Sequence, residues 1–111
     1  MDKTAVNLEK TTVYAIIKDM HIALKKYGIK DNHIALFGSF HIENTHENSD
    51  IDMIIISDFF EGKNLFERIN MTLKAESEVR NRFIAPMDIL LKTPQEYYYS
   101  QKAYFNSKII I

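Results

Sequence analysis

The chain has 111 residues, a net charge of −1 and no cysteine. Its length suits one domain, residues 1–111, that folds without a disulfide or metal staple. The missing cysteines exclude disulfides and thiolate zinc sites. A near-neutral charge argues against nucleic acid as a partner held through its phosphates, and no apolar run reaches the roughly 20 residues of a membrane helix.

Residues 5–27 predict the first helix. Val13, Ile16, Ile17, Met20, Leu24 and Tyr27 recur on one face of a 3.6-residue period. Lys25 and Lys26 suit its last turn, and Gly28 supplies a left-handed stop. His33 to Phe37 reads as a short strand closed by Gly38, and Ser39 to about Thr45 as a short helix or an irregular loop. Asp50 to Ser57 reads as a second strand. Its apolar residues run without a break from Met53 to Ile56, so both of its faces should be covered, as in a central strand.

Lys63 to Arg80 predicts a second helix, with Phe66, Ile69, Leu73 and Val79 facing inward. Ile84 to Lys92 predicts a third strand, with Pro86 placing its start at an edge. Thr93-Pro94-Gln95-Glu96 is a capping box with proline at the first helical position, so a helix should start there and run to about Tyr104. One of Tyr97, Tyr98 and Tyr99 should enter the core, with the others at a partner surface. Ile109 to Ile111 should pair as a strand or sit in an interface. This order of elements predicts an α/β layer fold. With no apolar leader at the N-terminus, the expected location is the cytoplasm.

The chemistry concentrates at the mouth of the second strand. Alternate strand residues share a face, so Asp50 and Asp52 point the same way. Two half-buried carboxylates repel, and a divalent cation removes that cost. Oxygen-only ligands favour Mg²⁺ or Mn²⁺ over zinc. Asp88 lies inside the third apolar strand. If that strand neighbours the second, three carboxylates meet, enough to hold two metal ions suited to in-line displacement at phosphorus. The bland alternative is that all three are solvated strand-end charges. Gly38-Ser39 adds backbone N–H groups and a hydroxyl that can hold a phosphate. His41 and His46 read as ordinary loop residues, and Lys63 as an exposed helix-start lysine.

Gly38-Ser39, ten intervening residues and Asp50-Ile51-Asp52, with Asp88 on a later strand, resemble the signature of polymerase-β-type nucleotidyltransferases, most of all the small minimal nucleotidyltransferases. The resemblance covers about residues 33 to 95. It implies an α+β fold, a small mixed sheet with helices packed on it. It further implies that Asp50, Asp52 and Asp88 hold two Mg²⁺, and that Gly38 and Ser39 hold the outer phosphates of ATP or another nucleoside triphosphate. A nucleoside monophosphate would pass to an acceptor hydroxyl. The acceptor would come from another chain, or a homo-oligomer would build the cleft. Minimal nucleotidyltransferases commonly pair with a small helical HEPN protein as antitoxin and toxin. One departure stands out: where family members often carry Ala-Arg-Gly, this chain has His41-Ile42-Glu43. That sequence removes a triphosphate-binding arginine and adds a negative charge.

Overall fold

The computed structural model describes residues 10–37, 51–100 and 107–111. Helix α1 spans Lys10–Lys26, strand β1 His33–Phe37 and strand β2 Ile51–Ile56. Helix α2 covers Leu65–Arg82, strand β3 Met87–Lys92, helix α3 Pro94–Tyr99 and strand β4 Lys108–Ile109. A 3₁₀ turn, Asp58–Phe60, follows β2, with the Phe59 N–H donating to the Ser57 hydroxyl at 3.0 Å. The expected Ser39–Thr45 segment lies outside the described residues.

The sheet is mixed, in the order β3-β2-β1-β4. β1 runs antiparallel to both β2 and β4, and β2 runs parallel to β3. The parallel pair requires a crossover, and α2 supplies it. β2 is a central strand as expected, with Met53 to Ile56 all buried, and β3 lies at an edge. The last residues also pair as expected, Ile109 opposite Ala35.

Alternation divides the sheet into two unlike faces. On one, Ile34, Leu36, Ile51, Met53 and Ile55 pack against Val13, Ile16, Ile17, Met20 and Leu24 of α1 and against Ala75 and Val79 of α2. On the other, Ala35, Ile54 and Ile56 meet Tyr97 of α3. Tyr97 is thus the tyrosine that enters the core, while Tyr98 and Tyr99 are exposed.

The helix ends obey local rules. α1 stops at Gly28, whose φ of 101° suits glycine, and Ile29 N–H reaches back to Leu24 O at 2.9 Å. Both expected partners close the α3 capping box: Glu96 N–H bonds Thr93 Oγ1 at 3.1 Å, and Thr93 N–H bonds Glu96 Oε1 at 2.9 Å. Asn64 and Glu67 form the same reciprocal pair at the start of α2.

Three expectations need correction. Phe66, Ile69 and Leu73 do not face inward; the buried face of α2 is Thr72, Ala75 and Val79. Small residues win there because the helix lies close on the core, and Thr72 satisfies its hydroxyl by donating to Glu76 at 2.6 Å. Tyr27 is not part of the α1 core stripe but sits at its edge, its hydroxyl donating to Glu78 at 2.8 Å. β3 starts at Met87 rather than Ile84, because α2 continues to Arg82 and Pro86 cannot donate to the ladder.

Candidate functional site

The site begins with register. Asp52 of β2 pairs with Asp88 of β3 in a parallel ladder, and Phe37 of β1 pairs with Asp52 on its other side. Register partners in neighbouring strands share a face and stand roughly 4.8 Å apart in backbone. The two aspartates are therefore side by side on the face opposite the α1–α2 layer. Asp52 is half-buried and Asp88 exposed. Ile51 N–H bonds Pro86 O at 2.8 Å, and Ser57 N–H bonds Lys92 O at 3.0 Å, so the two strands are clamped at both ends. This fixes the alignment that brings Asp88 to Asp52.

The sequence therefore anticipated a neighbouring carboxylate correctly. Asp50, Gly38 and Ser39 lie outside the described residues, as do His41, Ile42, Glu43 and His46. Among the described residues, no group of three or more histidines, cysteines, aspartates or glutamates is placed to hold a metal ion. Asp52 and Asp88 are two oxygen donors on adjacent strands, a pair whose chemistry fits Mg²⁺ or Mn²⁺. Lys63 sits exposed ahead of α2, and its N–H closes the preceding turn on Phe60 O.

Sequence reasoning missed Phe37 as a neighbour of this site. Its ring side faces the same way as Asp52, an apolar flank directly ahead of Gly38-Ser39. The alternation in His33–Phe37 held that signal, but only the β1–β2 register reveals it. Lys92 shares the Asp88 face as well, two pleats along β3. Asp88 and Lys92 both line a groove of about 520 Å³ that wraps the outer side of β3. A separate, mainly apolar cavity of about 410 Å³ lies at the other end of the open face, between Ile56, Pro94, Tyr97 and Ile109, with Asp31, His33 and Asp58 also lining it. Asp52 and Asp88 do not line it.

A mixed four-stranded sheet with α1 and α2 on one face, and α3 and the Asp52–Asp88 pair on the other, is a small α+β architecture. The chain belongs to the nucleotidyltransferase domain family, whose pattern matches residues 20–110. No curated protein matches the sequence at a significant level. Among solved structures, the chain is similar to a candidate nucleotidyltransferase, 23% identical over 86% of this chain and 97% of that one, with a TM-score of 0.56. It is also similar to a candidate nucleotidyltransferase from Sulfolobus solfataricus, 13% identical over 93% of this chain and 87% of that one, with a TM-score of 0.56. A mutant of the toxin–antitoxin MntA–HpeT is 17% identical over 92% of this chain and 72% of that one, with a TM-score of 0.48. The first two likenesses establish the fold as that of nucleotidyltransferases.

Proposed function

We propose that this chain is a divalent-ion-dependent nucleotidyltransferase that moves a nucleoside monophosphate, AMP from ATP in the simplest case, to a hydroxyl of a partner protein. The observation that carries this reading is the Asp52–Asp88 register pair on the open face, in a chain of the nucleotidyltransferase domain family. In this reading Asp50, Asp52 and Asp88 hold Mg²⁺, or Mn²⁺, and the work is done in the cytoplasm. Bound there, the metal supplies positive charge to the triphosphate oxygens and lowers the pKa of the acceptor hydroxyl. Gly38 and Ser39 donate to the outer phosphates through backbone N–H and hydroxyl. Phe37 keeps water from one side of Asp52. The acceptor oxygen bonds to the α-phosphorus, the bond to pyrophosphate breaks, and the hydroxyl proton leaves to solvent. The minimal-nucleotidyltransferase resemblance makes a HEPN-type protein the first acceptor to try.

A second reading is favoured by one observation, the Ile42-Glu43 departure, which takes away a triphosphate-binding arginine and adds negative charge. There the chain is a binding module that masks its partner without transfer.

Incubation with ATP labelled at the α-phosphate, Mg²⁺ and candidate partners separates the two. Transfer that falls on the order of 10²- to 10³-fold in Asp52→Asn and Asp88→Asn supports the enzyme. Full transfer by Asp52→Asn ends that reading. Undiminished partner binding by these variants, with no transfer from the parent, supports the module.

A further inference from the structure

The unexplained feature of the molecule is the outer surface of α2. Its buried face carries small side chains, and its largest apolar side chains point outward. Leu65, Phe66, Ile69 and Leu73 are 62%, 78%, 41% and 53% exposed. From Phe66 their spacing is i, i+3 and i+7, so they form one stripe roughly 10 Å long. Single exposed apolar residues need no explanation, but a contiguous stripe marks an interaction site. Leu65 and Ile69 also form one wall of the groove whose other wall is β3, with Ile89 and Asp88.

We propose that this stripe is the two-fold interface of a homodimer, with α2 packed antiparallel on α2 of a second copy. Three observations favour a second copy as the occupant. The first is area. With about 150–250 Å² for a fully exposed large side chain, the four residues present on the order of 450 Å² of apolar surface. A standard interface of about 800 Å² per partner is roughly 60% apolar and needs about that much. The second is shape. A straight stripe on one helix is self-complementary about a two-fold axis: Phe66 of one copy meets Leu73 of the other, with Ile69 near the axis. The third is charge. Glu76 and Arg80, which extend the stripe, form an ion pair of 3.9 Å with each other, and the chain carries only −1. The stripe has no field with which to select an oppositely charged partner, and low net charge favours self-association.

The same region argues against dimerisation by sheet extension. Arg68 Nη1 donates to Leu91 O at 3.2 Å and Arg80 Nη2 to Met87 O at 3.4 Å, so two carbonyls of β3 are already occupied. A new strand would have to displace both arginines, whereas a helix laid on α2 displaces neither. The second copy would then border the groove that Asp88 lines. The proposal goes beyond nucleotidyl transfer and does not depend on it.

Sedimentation velocity of the full chain across the micromolar range tests it. The expected species is twice the 13.0 kDa chain mass, dissociating on dilution. Phe66→Glu and Leu73→Glu should each weaken the dimer roughly tenfold or more, with circular dichroism melting unchanged at dilutions where the parent is itself monomeric, because both side chains are exposed. Asp52→Asn should leave the dimer intact, so a failed transferase assay and a failed dimer are read separately. A monomer at every concentration overturns the proposal and gives the stripe to a foreign partner. A dimer that survives both glutamate variants overturns it as well, by placing the interface elsewhere.

Discussion

The two faces of the sheet use the same strands for different ends. Among the described residues, sixteen buried apolar side chains form the cluster on the α1–α2 face, and four form the cluster on the other. One face is sealed by two long helices. Among the described residues, the other is covered at one end, by α3 through Tyr97, and carries Asp52 and Asp88. Consecutive β2 residues serve the two faces in turn. Stability is therefore concentrated on one side, which leaves the other free to hold charges that a closed core could not tolerate.

The largest expected effect tests this division within two neighbouring residues. Ile55 points into the large cluster, and Ile56 into the small one beside the open cavity. Ile55→Ala should cost about 3–5 kcal/mol, because the void it leaves is enclosed. Ile56→Ala should cost about 2 kcal/mol, mainly the lost transfer energy, since its void joins a space already open. Urea denaturation of the two variants measures the difference. Equal losses would mean that the open face is as tightly built as the helical one.

The contrast also explains what could be read in advance. α1, β1, the central position of β2 and the capping box of α3 follow from local chemistry: period, consecutive apolar residues, and Thr93 with Glu96. The Asp52–Asp88 pairing was legible because a charge inside MDILLK needs a reason. The face of α2 was misread because periodicity reports an apolar stripe without saying what it packs on. Phe66, Ile69 and Leu73 satisfy the period, yet Thr72, Ala75 and Val79 fit the narrow space over the core. Phe37 escaped notice because its place beside Asp52 depends on the β1–β2 register, which no local pattern encodes.

A smaller effect concerns the link between the helix that crosses over and the helix on the open face. Arg68 of α2 meets Glu96 of α3 in a bidentate pair, at 2.6 and 3.0 Å. The Arg68 hydrogen bond holds the Glu96 carboxyl at about 2, against an ordinary 4.5, although burial opposes the shift and Thr93 N–H assists it. A carboxylate whose pKa is lowered by folding contributes stability that is fully present above about pH 4.5. That stability is lost as the pH falls toward 2. Glu96 is 43% exposed, so screening reduces the contribution to about 1 kcal/mol. Glu78, also held at about 2 by Lys26, Tyr27 and Arg82, titrates in the same window and joins α1 to α2. Glu96→Gln should therefore lower stability at pH 6 and flatten the loss between pH 4.5 and 2, as followed by denaturant melts at each pH. A variant with the parent's full acid slope would assign that slope to Glu78 alone.

The smallest effect bears most directly on what the open face is for. Asp52 and Asp88 are neighbours of like charge, and carboxylates on adjacent strands repel when nothing stands between them. In chelator, Asp88→Asn should raise stability by about 0.5 kcal/mol, a shift of a few degrees in melting temperature for a chain of this size. A gain of that sign would mean that Asp88 does not serve the stability of the fold. Added Mg²⁺ or Mn²⁺ should reverse the order, because an ion bound only by the folded parent stabilises it by mass action, and the variant forgoes one ligand. Differential scanning fluorimetry in chelator and in millimolar metal gives both halves of the cycle. If the parent gains nothing from either ion while Asp88→Asn remains the more stable protein, then Asp52 and Asp88 are solvated strand charges rather than metal ligands. The open face would then have to be explained by its apolar cavity instead.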